Sequence, residues 1–104
     1  MLKIQSPYNL SLIKEIPLAG KAEAENALTT AYSLFLDQSK WLPTHKRIAI
    51  LERTAEIMKT RIDMLTKTAA QEGGKPLVDS RIEVKRAING VKIAIEHIGQ
   101  LKGE

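Results

Sequence analysis

"QEGGKPL", residues 71–77, sets two glycines, a lysine and a proline between two long stretches of helical apolar periodicity. Its letters fit either a phosphate cradle or a helix–helix turn. A Walker-type loop needs G-x-x-x-x-G-K-[ST], entered from a strand and leaving into a helix, with a hydroxyl after the lysine to hold magnesium. Here Pro76 follows Lys75 and offers neither hydroxyl nor amide hydrogen, and the residues before Gly73 read as helix. The turn reading is better: Gly73 or Gly74 closes one helix in a left-handed cap, and Pro76 starts the next.

Upstream of that turn, Ile48, Leu51, Ala55, Met58, Ile62, Leu65 and Ala69 step by three and four residues, which predicts one helix over 44–71 with a continuous buried seam. Ile50, Ile57 and Met64 repeat every seven residues on nearly the opposite side. Downstream, Val84, Ala87, Ile88, Val91, Ala94, Ile95, Ile98 and Leu101 define a helix over 77–102, with Ile82 and Ile93 off its main face and Asn89-Gly90 a soft spot within it. These two long helices are expected to run antiparallel. A shorter helix over 21–38 carries Ala24, Ala27, Leu28, Ala31, Leu34 and Phe35 on one face. "SKWLP" ends it, Thr44 is the expected N-cap of the next helix, and Trp41 is expected to anchor the loop over the core. At the start, "LKIQ" and "LIKEI" alternate apolar with polar around "SPYN", a β-hairpin within 1–18.

The fold class is therefore mainly α: an N-terminal β-hairpin, then three helices, within a single 104-residue segment. Three helices cannot easily cover every apolar stripe described. A helix apolar on two sides is normally sandwiched between neighbours, so surface meant for a missing partner is expected.

Composition narrows the function classes. There is no cysteine, which removes disulfides, thiolate metal sites and cysteine nucleophiles together. Aromatic residues make up 4%, so a core must come from Ile, Leu, Val, Ala and Met. The formal charge of +4 invites a nucleic-acid reading, but Lys46, Arg47, Arg53, Lys59, Arg61 and Lys67 are interleaved with Glu52, Glu56 and Asp63. Asp63 and Lys67 form an i,i+4 pair suited to a solvated helix surface. No basic run is interleaved with stacking aromatics, so no nucleic-acid partner is expected. The start lacks a basic stretch followed by an apolar run, and the longest aliphatic run, "IAIL" at 48–51, is far too short to cross a bilayer. No membrane association and a cytoplasmic location are expected.

No catalytic constellation emerges. His45 and His97 are the only histidines, far apart and without metal-ligand spacing. Glu52 with Glu56, and Glu23 with Glu25, read as surface residues. Catalytic, cofactor-binding and metal residues are all expected to be none.

The order of short signatures adds to this reading. "SPYNLSLIKEIPLAG" (6–20), "RIAILERTAEIMKTR" (47–61) and "QEGGKPLVDSRIEVKRAI" (71–88) together resemble the N-terminal part of the NAD(P)-dependent aldehyde dehydrogenase superfamily. Glu72, Gly74, Lys75 and Pro76 match that family's Glu-x-Gly-Lys-Pro turn, and Arg47, Leu51, Arg53 and Ala55 match its Arg followed by Leu-x-x-x-Ala. One departure is Asn9-Leu10, where the family commonly has Asp-Gly at the hairpin turn; leucine tolerates positive φ poorly. The resemblance implies an N-terminal segment of a larger α/β enzyme that oxidises an aldehyde to an acid. The cysteine nucleophile, the glutamate and the Rossmann-type NAD or NADP site of that enzyme would lie downstream. The segment would be inactive alone and would pack on the rest of the dehydrogenase. The alternative is an independent helical module that self-associates through Ile50, Ile57 and Met64.

Overall fold

The computed structural model describes residues 1–101. The order is β1 (Leu2–Gln5), β2 (Leu12–Ile16), α1 (Lys21–Leu36), α2 (Thr44–Thr60), α3 (Ile62–Gly73) and α4 (Leu77–His97). Short 3₁₀ turns follow α1 at Gln38–Lys40 and α4 at Ile98–Gln100.

The hairpin forms where alternation placed it. Leu2 pairs with Ile16 and Ile4 with Lys14, and a bulge between Ile4 and Gln5 brings Leu12 opposite Gln5. At its tip Leu10 does take a left-handed φ of 59°. The neighbouring polar groups hold it there. The Leu10 amide donates to the Ser6 carbonyl at 2.8 Å, the Gln5 side-chain amide donates to the Leu10 carbonyl, and the Ser11 amide donates to Asn9 Oδ1.

The expected helix over 44–71 is two helices. At Arg61 the backbone leaves helical geometry (φ −115°, ψ 16°). The Thr60 hydroxyl donates to the Ile57 carbonyl at 2.8 Å, the carbonyl that the Arg61 amide would take in a continuous helix. The Arg61 amide bonds Met58 instead, and the helix restarts with Leu65 N–H on the Arg61 carbonyl. Such hydroxyl back-bonding bends helices. The seam cannot reveal the break, because Ile48, Leu51, Ala55, Met58, Ile62, Leu65 and Ala69 all remain half-buried or buried through it.

The α3–α4 turn is the left-handed cap its sequence implied, with Gly74 at φ 63° and its amide on the Ala70 carbonyl. Pro76 then stands at the N-cap of α4, its carbonyl accepting from Ser80 N–H. The two helices run antiparallel and meet closely at small residues. Ser80 is fully buried and donates its hydroxyl to the Thr66 carbonyl at 2.8 Å. Farther along, α4 lies against α2, where Ala55, Val84, Ile88 and Ile98 are the buried apolar residues among those described. The fourth helix ends at His97, short of the expected 102, which itself lies outside the described residues. Pro43, not Thr44, occupies the N-cap of α2; the Thr44 hydroxyl accepts from Arg47 instead.

The first helix departs furthest from expectation. It ends at Leu36 rather than 38, and none of its residues is buried. Glu23 still caps its start by accepting from Gly20 N–H at 2.8 Å. Gly20 has no side chain to return the bond, so only half of a capping box forms.

Candidate functional site

The dominant feature is uncovered apolar surface. The radius of gyration is 18.2 Å, against about 13 Å for a compact domain of this length. Accessible surface is 8573 Å², about 2700 Å² more than a compact chain of this mass would expose. Standard protein interfaces bury about 800 Å² per partner, so the excess is of the size found in obligate assemblies or between layers of one core.

Three regions carry it. On α1, Leu28 (68% exposed), Tyr32 and Phe35 (62%) stand open, and Leu34 is only partly covered. Trp41 does not close the loop over a core. It is half-exposed and donates its indole N–H to the Leu34 carbonyl at 2.7 Å, tying off the C-terminal end of α1. With Leu42 and Arg47 it lines a depression of about 460 Å³. The second stripes anticipated from sequence are also open: Ile50 on α2, Met64 on α3, Ile82 and Ile93 on α4, with Ile57 half-buried. On the hairpin, Leu2, Leu12 and Ile16 are exposed.

The polar candidates remain apart. His45 is exposed in the first turn of α2, and His97 closes α4 with Nδ1 2.9 Å from the Ile93 carbonyl oxygen. Among the described residues there is no group of three or more His, Asp or Glu placed to hold a metal ion, and no helix long and apolar enough to cross a membrane. Glu52 and Glu56 are both exposed, and Lys59 holds the Glu56 carboxyl below its ordinary range. Asp37 is lowered by the Ser39 hydroxyl and by Lys40, and Glu23 by hydrogen bonds from its own amide and that of Gly20.

The Gly73-Gly74-Lys75 turn is committed to structure. Lys75 Nζ lies 2.6 Å from Glu83 Oε2, the Gly74 amide is spent on α3, and the Pro7 ring of the hairpin tip packs over Gly74. These residues do not fit a cradle for a dinucleotide phosphate, which needs free amides after a strand. Asp63 does not pair with Lys67 as its spacing suggested. It reaches across to Arg81 on α4, 2.5 Å away. Sequence spacing within one helix cannot reveal a partner supplied by another.

The class of fold is thus a two-stranded hairpin followed by helices that leave apolar faces open. The aldehyde dehydrogenase family model matches residues 1–104, and the chain belongs to the aldehyde dehydrogenase family. It is 34% identical over 103 residues to a lactaldehyde dehydrogenase of Methanocaldococcus jannaschii, a match covering 99% of this chain and 22% of that protein. An N-succinylglutamate 5-semialdehyde dehydrogenase of Ectopseudomonas mendocina is 38% identical over 82 residues, 79% of this chain and 16% of its own length. The crystal structure of the glyceraldehyde-3-phosphate dehydrogenase GapN from Methanocaldococcus jannaschii, complexed with NADP, has a TM-score of 0.85 at 34% identity, covering 100% of this chain and 23% of that one. The chain thus spans less than a quarter of the length of these relatives.

Proposed function

We infer that this chain serves as the N-terminal segment of an NAD(P)-dependent aldehyde dehydrogenase, in which it covers the remainder of the enzyme while the chemistry and cofactor contacts are supplied elsewhere. The observations that carry this reading are a total accessible surface about 2700 Å² beyond that of a compact chain of this mass and the open apolar side chains on α1, the helical second stripes and the hairpin. A helix such as α1, with Leu28, Tyr32 and Phe35 open and nothing buried, has no folding rationale in water without a partner. In the intact enzyme the reaction would be oxidation of an aldehyde to its acid. The NADP-bound neighbour makes NADP one candidate cofactor. The reading includes a cytoplasmic location, which cell fractionation tests.

Purified 104-residue chain is expected to form no NADH or NADPH from aldehydes and to bind an apolar dye strongly. Aldehyde-dependent reduction of either cofactor by this chain alone would refute the division of labour. Self-association through Ile50, Ile57 and Met64 is a second way to cover part of the surface, favoured by the exposure of Ile50 and Met64. Polar replacement of all three is expected to leave the chain less associated in sedimentation. Unchanged association would eliminate that interface.

A further inference from the structure

Between α3 and the first turns of α4 lies an open groove of about 440 Å³. Leu77, Val78 and Ile82 give it an apolar lining, and all three are exposed. Its charge is one-sided. The Asp63 carboxylate is taken by Arg81, while Lys67 and Lys85 line the same groove with no carboxylate in ion-pair range among the described residues. The antiparallel register set by Ser80 on Thr66 puts Lys67 level with Asp79 and Lys85 some six residues further along α4. At 1.5 Å per residue the two lysines stand about 9 Å apart along the groove, with Ile82 between them.

We propose that this groove receives a helix from the rest of the dehydrogenase whose facing side carries carboxylates at i and i+7 with apolar residues at i+3 and i+4. This occupant presupposes that the chain is a covering segment, and it specifies the chemistry of the surface covered. Two antiparallel helices offer a third a groove for side-chain interdigitation. Seven residues of helix span about 10.5 Å, close to the lysine separation, and the intervening apolar residues fall on Ile82. Covering Lys67 and Lys85 with a neutral or basic surface would strip water from two cations without compensation. Two facing carboxylates offset that cost and fix the register.

The test uses a labelled 15-residue helical peptide with Glu at i and i+7 and Leu at i+3 and i+4, titrated into the 104-residue chain by fluorescence anisotropy. A second peptide has both Glu replaced by Lys. The acidic peptide is expected to bind about tenfold or more tighter, the yield of two partly desolvated ion pairs, and to weaken as salt is raised. The chain carrying Lys67→Glu and Lys85→Glu, checked for unchanged circular dichroism, is expected to reverse the preference. Equal binding of both peptides, preference for the basic one, no binding of either at millimolar concentration, or indifference to the charge reversal would each overturn the proposal. Such a failure leaves the covering-segment reading standing if the sequence is found within a far heavier polypeptide in its source cells. A species of 11.6 kDa there would remove that reading whatever the peptides do.

Discussion

Replacing Gly73 and Gly74 by alanine, one at a time, should move stability in opposite directions although the residues are neighbours. Gly73 is the last residue of α3, and a methyl there would meet only the Cε end of the Lys75 side chain at 3.1 Å, which can shift. Alanine in a helical position limits the unfolded chain more than glycine does, so Gly73→Ala should stabilise by about 0.5–1 kcal/mol. Gly74 has φ 63°, where a side chain costs about 1–2 kcal/mol. Its methyl would also lie 3.0 Å from Pro7 Cγ and 3.1 Å from Pro7 Cβ, a ring with little freedom to give way. Overpacking of that kind costs about 1 kcal/mol or more, so Gly74→Ala should destabilise by about 2–3 kcal/mol in all. Urea denaturation followed by far-UV circular dichroism measures both. A cycle with Pro7→Gly separates the two costs: the double variant should recover the crowding part, about 1 kcal/mol, and leave the backbone part. Gly74→Ala as stable as Gly73→Ala would refute the left-handed turn. Zero coupling to Pro7 would refute the seating of the hairpin tip on it.

Three further outcomes are expected. Thr60→Ala frees the Ile57 carbonyl for the Arg61 amide, so α2 and α3 should join into one helix, seen as a helical carbon chemical shift at Arg61; an unchanged shift would mean another cause of the break. The Thr66 hydroxyl is buried without a partner, so Thr66→Val should stabilise by about 1 kcal/mol, read from the denaturation midpoint, whereas a loss would show that the hydroxyl is satisfied. Glu23 is lowered below its ordinary value of 4.5. Its contribution to α1 is therefore fully present above that value and is lost as pH falls through the lower folded one. Amide exchange at Gly20 should rise on acidification below pH 4.5 in the native chain and be pH-independent, once corrected for intrinsic rates, in Glu23→Gln; identical profiles would remove the cap.

Much of the fold was legible in the sequence because local chemistry imposes it. Period-two alternation yields a hairpin, a 3-4 step yields a seam whose residues are all half-buried or buried, and Gly74 before Lys75-Pro76 yields a turn. Where the reading failed, the deciding interaction was invisible to periodicity. The break at Arg61 turns on one hydroxyl bond from Thr60, and a seam that runs through unbroken carries no trace of it. Pro43 displaced Thr44 from the cap because its extended backbone ends the loop without a side-chain bond. The Asp63–Arg81 pair and the Ser80–Thr66 contact join residues from different helices, which spacing along one helix cannot pair. Leu10 is the converse: it takes the left-handed φ that its side chain disfavours because Ser6, Gln5 and Asn9 hold the backbone on both sides. The apolar face of α1 was legible, but its exposure was not. The excess of apolar stripes over helices implied surface left for a partner, but amphipathic pattern does not say which helix is left open, and it is α1 that buries nothing.

The most direct test of the central claim is the native mass of the species carrying this sequence in its source cells, detected with an antibody raised against the segment. A polypeptide several times heavier than 11.6 kDa is expected, with α1 covered in the whole. A monodisperse monomer of 11.6 kDa that binds no apolar dye would contradict it.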